Sequence, residues 1–170
     1  MEAHDTPDLH DILAGRKLED YVATILRADA KNYTTPSTFT SRHISFFQRP
    51  DPALFTLQNL PPLVAEEEPR ISLNAVKIIH EHFEPLLESK EPLDHLKFAV
   101  REIVAKVSVL LDEEITQKVV YRYLRLALAG GESGVGLREM MEILGREETV
   151  GRLRRCLEKL NESAKEGKES

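Results

Sequence analysis

The residues of this sequence with the clearest chemical potential are the arginines near its C-terminal end. From residue 116 onward the chain carries seven Arg and four Lys. A guanidinium is planar and always charged, so it can bind phosphate through parallel hydrogen bonds and can stack on a base. Arg122 and Arg125 are three residues apart, which places both on one side of a helix. This pattern indicates a surface for a polyanion, although glutamates in the same segment could pair with the arginines internally.

A glycine-rich segment, residues 130–136, follows these two arginines and is itself followed by Arg138. It is a poor candidate for a Walker phosphate loop, because no Lys follows the glycines and the segment does not come after a predicted strand. Its amide groups could still meet a backbone phosphate or a base. A plain turn between two helices is the alternative interpretation.

No arrangement typical of a catalytic or metal centre is present in the sequence. Cys156 is the single cysteine, so it cannot form an internal disulfide, and we interpret it as a packing residue inside a helix. His80 and His82 are two residues apart and would point roughly 200° apart on a helix, which prevents them from sharing a metal ion. A G-x-S-x-G nucleophile motif is missing as well. We therefore expect no catalytic residue and no metal site.

Charge and hydropathy restrict the partners of the chain. The net charge of the 170 residues is -6, but residues 51–115 hold 6 Lys/Arg against 13 Asp/Glu, whereas residues 116–170 hold 11 against 9. A polyanionic partner should therefore meet the last third of the chain. No apolar run approaches the roughly 20 residues of a membrane span, and the acidic start is not typical of a secretory signal. We expect no membrane partner, no DNA partner and no secretion.

Apolar residues recur with helical spacing along most of the chain, and no alternating strand pattern is visible. The predicted helices cover residues 18–29, 36–48, 72–85, 93–111, 115–129, 137–144 and 147–160. Ser72 is a predicted N-cap, Pro85 is expected to kink or end its helix, and Gly130 is a predicted left-handed C-cap. The fold class is therefore all-α, with about seven helices in two small clusters that form an α-helix bundle.

Composition suggests a division of the chain along its length. Residues 1–17 are interpreted as a flexible or truncated end, and residues 18–52 as an N-terminal helical subdomain. Residues 53–71 hold several prolines and an acidic run, which is typical of a linker. Residues 72–160 form the larger C-terminal helical domain, and residues 161–170 are a polar tail that we expect to be disordered.

Three motifs in order along the chain carry a family resemblance: the helix end Leu124–Gly130, the loop Gly134–Leu137 and the helix end Ile143–Glu147. They are similar to the Leu-Arg-x-Ala-Leu-Thr-Gly, Gly-Pro-Gly-Leu and Leu-Gly-Lys/Arg-Glu motifs of the C-terminal anticodon-binding domain of bacterial-type glutamyl-tRNA synthetases, whose mitochondrial members share it. Upstream, Phe46–Asp51 and Tyr33–Ser37 resemble elements of the preceding subdomain. The similarity spans about residues 18–160. Ala129 and Val135 stand where the family has threonine and proline.

The resemblance implies recognition of the anticodon arm of a glutamate tRNA on a surface formed by two helical clusters. Specific RNA readers usually stack and hydrogen-bond unpaired bases. The residues assigned to this tRNA contact are Arg122, for a backbone phosphate, together with Arg125, Gly134, Val135, Arg138 and Arg42. By resemblance, Arg42 would face the third anticodon base, and Val135 could contact a base face.

The HIGH-type and KMSKS-type signatures of the synthetase have no counterpart in this sequence. The chain is therefore expected to lack the ATP and glutamate site. No cofactor is assigned to it, since ATP and Mg²⁺ would belong to a separate catalytic domain. That domain is a second expected partner if the chain is a fragment of a glutamate-tRNA ligase.

The resemblance implies a mitochondrial location, with the cytoplasm as the alternative. The competing functional class is an all-helical protein-interaction scaffold without an RNA role.

Overall fold

The computed structural model describes residues 8–29, 43–64, 67–89, 95–112, 114–131 and 135–169. Most of this part of the chain is helical, so the predicted all-α architecture is confirmed. The helices are α1 Leu9–Leu13, α2 Leu18–Ala28, α3 Ile44–Phe47, α4 Leu73–Glu88, α5 Leu96–Leu111, α6 Gln117–Ala129, α7 Leu137–Leu144 and α8 Arg146–Glu169. Two 3₁₀ turns, Pro52–Leu54 and Leu57–Asn59, lie between α3 and α4.

Helix α8 is the element around which the others are arranged. Helices α4, α6 and α7 and both 3₁₀ turns contact it, while α5 packs on α4 and α2 on α7. Its buried positions include Leu153, Cys156 and Leu160, which recur every three or four residues and so form one apolar stripe. The buried apolar residues of the described chain, from Ile12 to Leu160, form one cluster. The packing role predicted for Cys156 is confirmed, since it is fully buried.

The helix ends follow the chemistry of their capping residues. Ser72 accepts a hydrogen bond from the Ala75 amide at 3.0 Å, which confirms the predicted cap of α4. Thr116 caps α6 in the same way, through the Val119 amide at 3.3 Å, so α6 begins two residues later than predicted. At its other end Gly130 has φ 75°, and its amide donates to the Leu126 carbonyl at 2.9 Å. The predicted left-handed cap is confirmed.

Gly130 and Gly151 give opposite expectations for substitution by alanine. At Gly130 the left-handed φ is unfavourable for alanine, and the added Cβ would lie 3.1 Å from Leu54 Cδ1, so Gly130→Ala should cost about 1–3 kcal/mol of unfolding free energy. Gly151 lies inside α8, and its new Cβ would approach only the flexible end of Arg155, at 3.0 Å. Gly151→Ala should therefore stabilise the chain by about 0.5–1 kcal/mol. Urea unfolding followed by circular dichroism measures both; equal effects would contradict the assigned conformations.

A short hairpin departs from the purely helical prediction. Strands β1, Pro62–Val64, and β2, Glu67–Arg70, pair antiparallel, with Pro62 opposite Arg70 and Val64 opposite Glu67. Strands of three and four residues that contain proline are too short to show a period-two pattern, so they could not be predicted from the sequence. The segment predicted as a linker also supplies Phe55, Leu60 and Ile71 to the core. The division into domains stays a prediction.

Both ends of the described chain are more ordered than expected. Residues 9–13 form α1 instead of a frayed end, because Leu9 and Ile12 are buried and Arg16 donates to the Ile143 carbonyl at 2.7 Å. The prediction of a disordered tail from residue 161 onward is wrong for the residues that the structure describes, since α8 continues to Glu169. A helix that is already nucleated extends through polar residues at little cost.

Two predicted helices have different limits from those expected. Pro85 does not end α4, which runs three residues further, to Glu88. The burial of Leu87 and a hydrogen bond from the Ser89 amide to the Pro85 carbonyl at 3.0 Å support this last turn. Of the helix predicted for residues 36–48, the structure describes residues 43–48, and α3 covers Ile44–Phe47 of these; residues 30–42 lie outside the described residues.

Candidate nucleic-acid interface

Helix α6 carries Arg122 and Arg125, the first two arginines of the cationic C-terminal segment. Its inner side is apolar, with Tyr123, Leu124 and Leu128 buried, so the opposite side must face outward. Arg122 is exposed there and makes no hydrogen bond or ion pair within the described part of the chain. Arg125 follows one turn later and is half-buried.

Arg125 connects the helix to the segment that follows the glycines. Its Nη1 donates to the Val135 carbonyl at 3.4 Å. The side chain of Val135 is only 2% exposed, so protein covers the methyl groups that were expected to meet a base. The buried side chain anchors this end of the loop beside the Arg125 guanidinium. Gly134, by contrast, lies outside the described residues, as does Arg42.

Arg138 lies in the first turn of α7 and is exposed. Its Nε donates to Glu142 Oε1 at 3.2 Å, and the two side chains are 51% and 52% exposed. An ion pair at such an exposed position contributes about 0–1 kcal/mol, so a phosphate could displace the carboxylate at small cost. The structure therefore places Arg122, Arg125, Val135 and Arg138 on neighbouring segments at the α6–α7 connection. The assignment of the tRNA contact to these residues stays a prediction.

Several of the other C-terminal arginines serve the fold. Arg146 donates to the carbonyls of Leu86, Leu87 and Ser89 at the end of α4. Arg154 pairs with Glu88 at 2.7 Å. Arg152 is a buried residue of α8, with 2% exposure. The internal pairing that the sequence left open is therefore real for these residues, and the cationic surface is smaller than the arginine count suggests.

Arg152 belongs to a network of charged groups whose long-range members, Arg49 and Asp8, were not predicted from the sequence. Its Nε donates to Glu148 Oε1 at 2.8 Å, and its Nη1 donates to the carbonyls of Ser45 at 2.7 Å and Leu128 at 2.6 Å. Glu148 also accepts two hydrogen bonds from Arg49, from Nε at 2.9 Å and from Nη2 at 3.0 Å. The spacing of Glu148 and Arg152, four residues on one helix, was the visible signal.

These charged contacts extend to the N-terminal segment. The Arg49 amide donates to Asp8 Oδ2 at 3.2 Å, and Arg49 Nη1 lies 3.5 Å from Asp8 Oδ1. Asp8, Arg49, Glu148 and Arg152 therefore form a network. We call it the buried charge network after Glu148 and Arg152, since the side chains of Asp8 and Arg49 are 33% and 23% exposed. It joins the N-terminal segment and α3 to α8 and to the C-terminal end of α6. The end of α6 that carries the glycine cap is thereby fixed in place.

The pKa shifts in this network follow its geometry. Burial alone would raise the pKa of Glu148, but the hydrogen bonds from Arg49 and Arg152 outweigh it, and the pKa is lowered. Burial lowers the pKa of Arg152, while Glu148 counteracts this. The hydrogen bond to Glu148 raises the pKa of Arg49. Glu148 is therefore held as a carboxylate between two guanidinium groups.

A second buried polar group connects α4, α6 and α8. His80 Nε2 lies 2.5 Å from the Tyr123 hydroxyl, which lies 3.6 Å from Cys156 Sγ. Burial raises the pKa of the Cys156 thiol to about 11 and also raises that of Tyr123. A thiol with a raised pKa is a poor nucleophile. This trio is a packed polar contact in the core.

The same trio predicts a loss of stability in mild acid. Burial lowers the pKa of His80, an effect that Glu84 partly opposes from 3.6 Å. In the unfolded chain His80 binds a proton near pH 6.5, whereas burial in the folded chain disfavours the protonated form. The free energy of unfolding is therefore undiminished above pH 6.5 and decreases as the pH falls below it. His80→Gln should flatten the decline of unfolding free energy between pH 7 and 5.5 by about 1 kcal/mol. Urea titrations at several pH values measure it, with the exposed His95→Gln as control; an unchanged slope would contradict the prediction.

Metal and membrane sites find no support in the described chain. Among these residues no three His, Cys, Asp or Glu side chains are grouped so that they could hold a metal ion. None of the described helices combines the length and the apolar character needed to cross a membrane.

Comparison with known proteins agrees with this geometry. A family model described as an anticodon binding domain matches residues 53–157, a range that contains α4 to α7 and the first half of α8. A curated relative, the glutamate–tRNA ligase of Porphyromonas gingivalis (strain ATCC BAA-308 / W83), is 58% identical over 36 residues. That stretch covers 21% of this chain and 7% of the relative's length. No solved structure matches the chain significantly. Since the family model covers more than half of the sequence, the chain belongs to the anticodon-binding domain family.

Proposed function

We propose that the chain recognises the anticodon arm of a glutamate tRNA and serves a glutamate-tRNA ligase of the mitochondrial type. The observation that carries this proposal is the family match over residues 53–157, which contains Arg122, Arg125 and Arg138 at the α6–α7 connection. The motifs shared with glutamyl-tRNA synthetases and the similarity to the P. gingivalis glutamate–tRNA ligase support glutamate as the amino acid. The chain then contributes to aminoacylation by binding, and a catalytic domain supplies the ATP and glutamate site.

The physical basis of recognition lies in the arrangement of the three arginines. Arg122 is exposed and presents its fork to a backbone phosphate. Arg125, which bonds to the Val135 carbonyl, lies three residues further along α6 and brings a second guanidinium to the same side of the helix. Arg138 exchanges its exposed pair with Glu142 for a phosphate oxygen. Such a cluster positions an RNA loop with unstacked bases through its phosphates. Contacts to the edges of those bases then give sequence specificity.

Binding of a glutamate-tRNA anticodon stem-loop tests the proposal directly. We expect the full chain to prefer this stem-loop over one with a swapped anticodon, and to bind both more weakly as salt rises, because phosphate contacts release counterions. Fluorescence anisotropy at two salt concentrations measures both effects. Equal affinity for the two loops would overturn anticodon recognition. The absence of binding by a folded, helical sample at low salt would favour the protein-interaction scaffold instead.

The compartment is part of the proposal. We infer a mitochondrial location from the shared motifs of the mitochondrial members, with the cytoplasm as the alternative. Fractionation of cells that express the tagged protein at its natural level measures it. Enrichment in the mitochondrial fraction, protected from external protease, is the expected result, and a purely cytosolic signal would overturn it.

A further inference from the structure

A cavity of about 530 Å³ lies between the turn that follows α3 and one side of α8. This volume is in the range of small-molecule sites, which measure roughly 300–1,000 Å³. Neither Arg122 nor Arg125 lines it, so it is separate from the surface proposed for the anticodon arm. From α6 it receives Ala127 alone. We call it the α8 cavity.

The α8 side of this cavity is cationic. Arg152, Arg155 and Lys159 line it and lie three and four residues apart, so they share one side of the helix. Arg49 lines the cavity from the opposite wall. Four cationic side chains thus surround a space large enough for a phosphate and an attached group. Such convergence of cations is how proteins bind phosphate.

Two of these cations have unused hydrogen-bonding capacity. The Nη2 atom of Arg152 is buried and has no hydrogen-bond partner among the described residues. A buried donor without an acceptor is costly, and native structures contain few of them. Arg155 is exposed and takes part in no hydrogen bond or ion pair within the described part of the chain. Both side chains can therefore donate to an acceptor that the protein itself does not supply.

Two of the three carboxylates that line the cavity already have partners, and one of those partners, Arg49, is itself a cavity cation. Asp8 accepts hydrogen bonds from Arg49, and Asp51 Oδ1 accepts from the Ala53 amide at 2.9 Å. Lys159 pairs with Glu162 at 3.0 Å, but this pair is exposed and weak. Glu158 is the remaining lining carboxylate. The walls also contain Phe55, which gives an attached ring or sugar an apolar surface.

We propose that the α8 cavity is a binding site for a phosphate group, held by Arg155 and Lys159 and completed by Arg152. The phosphate belongs either to an RNA backbone or to a free phosphate ester of nucleotide size, since both present the same oxygens. This inference does not depend on anticodon recognition by α6 and α7.

Titration of the ¹⁵N-labelled full chain with inorganic phosphate tests the site. We expect the Nε–Hε resonances of Arg152 and Arg155 to shift in a saturable way, whereas sodium chloride at equal ionic strength leaves them in place. The double variant R155Q/K159Q should weaken phosphate binding by at least about tenfold, the effect of one lost charge-assisted hydrogen bond. Glu158→Gln should strengthen it, because a repelling carboxylate is removed. Lys165→Gln, an exposed change further along α8, is the matched control.

A second arm separates the two sources of the phosphate. The R155Q/K159Q variant is tested for binding of a single-stranded RNA and, separately, of uridine monophosphate. Loss of RNA binding identifies a backbone phosphate, and loss of mononucleotide binding alone identifies a free ester; either result supports the site. The proposal is overturned if phosphate and chloride shift the arginine resonances equally. It is also overturned if R155Q/K159Q and Lys165→Gln bind phosphate as wild type does. Both altered residues are exposed, so the variant should remain folded.

Discussion

Glu148→Gln is expected to lower the free energy of unfolding by about 3–5 kcal/mol, enough to unfold a marginally stable domain. The reason is the position of Arg152, which is 2% exposed and has Glu148 as its carboxylate partner at 2.8 Å. Without the negative charge, the Arg152 guanidinium stays buried with two carbonyl acceptors but with no opposite charge beside it. Arg49 would lose its two-point contact with the same carboxylate. Urea unfolding followed by circular dichroism measures the change.

Glu147→Gln is the matched control, because Glu147 is the neighbouring residue on α8 and is exposed. Its effect should remain within about 0.5 kcal/mol, as expected for a surface position. A Glu148→Gln variant as stable as the control would show that Arg152 does not need its carboxylate. Reduced stability with an unchanged denaturant slope would confirm that the folded state itself has lost the interaction.

The buried charge network also gives this effect a dependence on pH. The folded-state pKa of Glu148 lies below its ordinary 4.5. Its stabilisation is therefore fully present above pH 4.5 and is lost as the pH falls toward the folded-state pKa. The wild type should lose stability through this acidic range more steeply than Glu148→Gln does. Parallel curves for the two proteins would contradict the assignment.

Charge reversal on α6 is expected to have the largest effect on RNA binding. R122E/R125E should weaken binding of the anticodon stem-loop by about 100-fold or more at low salt, since each charge-assisted hydrogen bond contributes roughly 1.5–3 kcal/mol. The slope of log affinity against log salt should decrease by about one for each lost phosphate contact. Anisotropy titrations over a range of salt concentrations measure both quantities, and circular dichroism checks that helicity is retained.

K97E/R101E is the control for this experiment. Both residues are exposed on α5, and the change in net charge is the same as in R122E/R125E. If recognition depends on the α6–α7 connection, the control should lose far less affinity than R122E/R125E. Equal losses in the two variants would mean that overall charge, and not this surface, determines binding. Neither outcome affects the phosphate experiment at the α8 cavity, because Arg122 and Arg125 do not line that cavity.

The sequence by itself determined the fold class and most helix ends. Helical spacing of apolar residues is a local signal, and so are the cap at Ser72 and the left-handed cap at Gly130, since each depends on backbone groups within a few residues. The motifs around Gly130 also predicted the family. The same local reasoning failed at the hairpin and at Pro85, where packing against other elements decides the outcome.

Only the tertiary structure decided which charges are available to a partner. Arg152 and Arg155 are three residues apart and look alike in sequence, yet one is buried against Glu148 and the other is exposed beside a cavity. Arg49 and Glu148 are 99 residues apart, so no local pattern could have joined them. Val135 was expected at a base, but the core covers it. Burial depends on which surfaces meet after the helices pack, and that is a property of the whole chain.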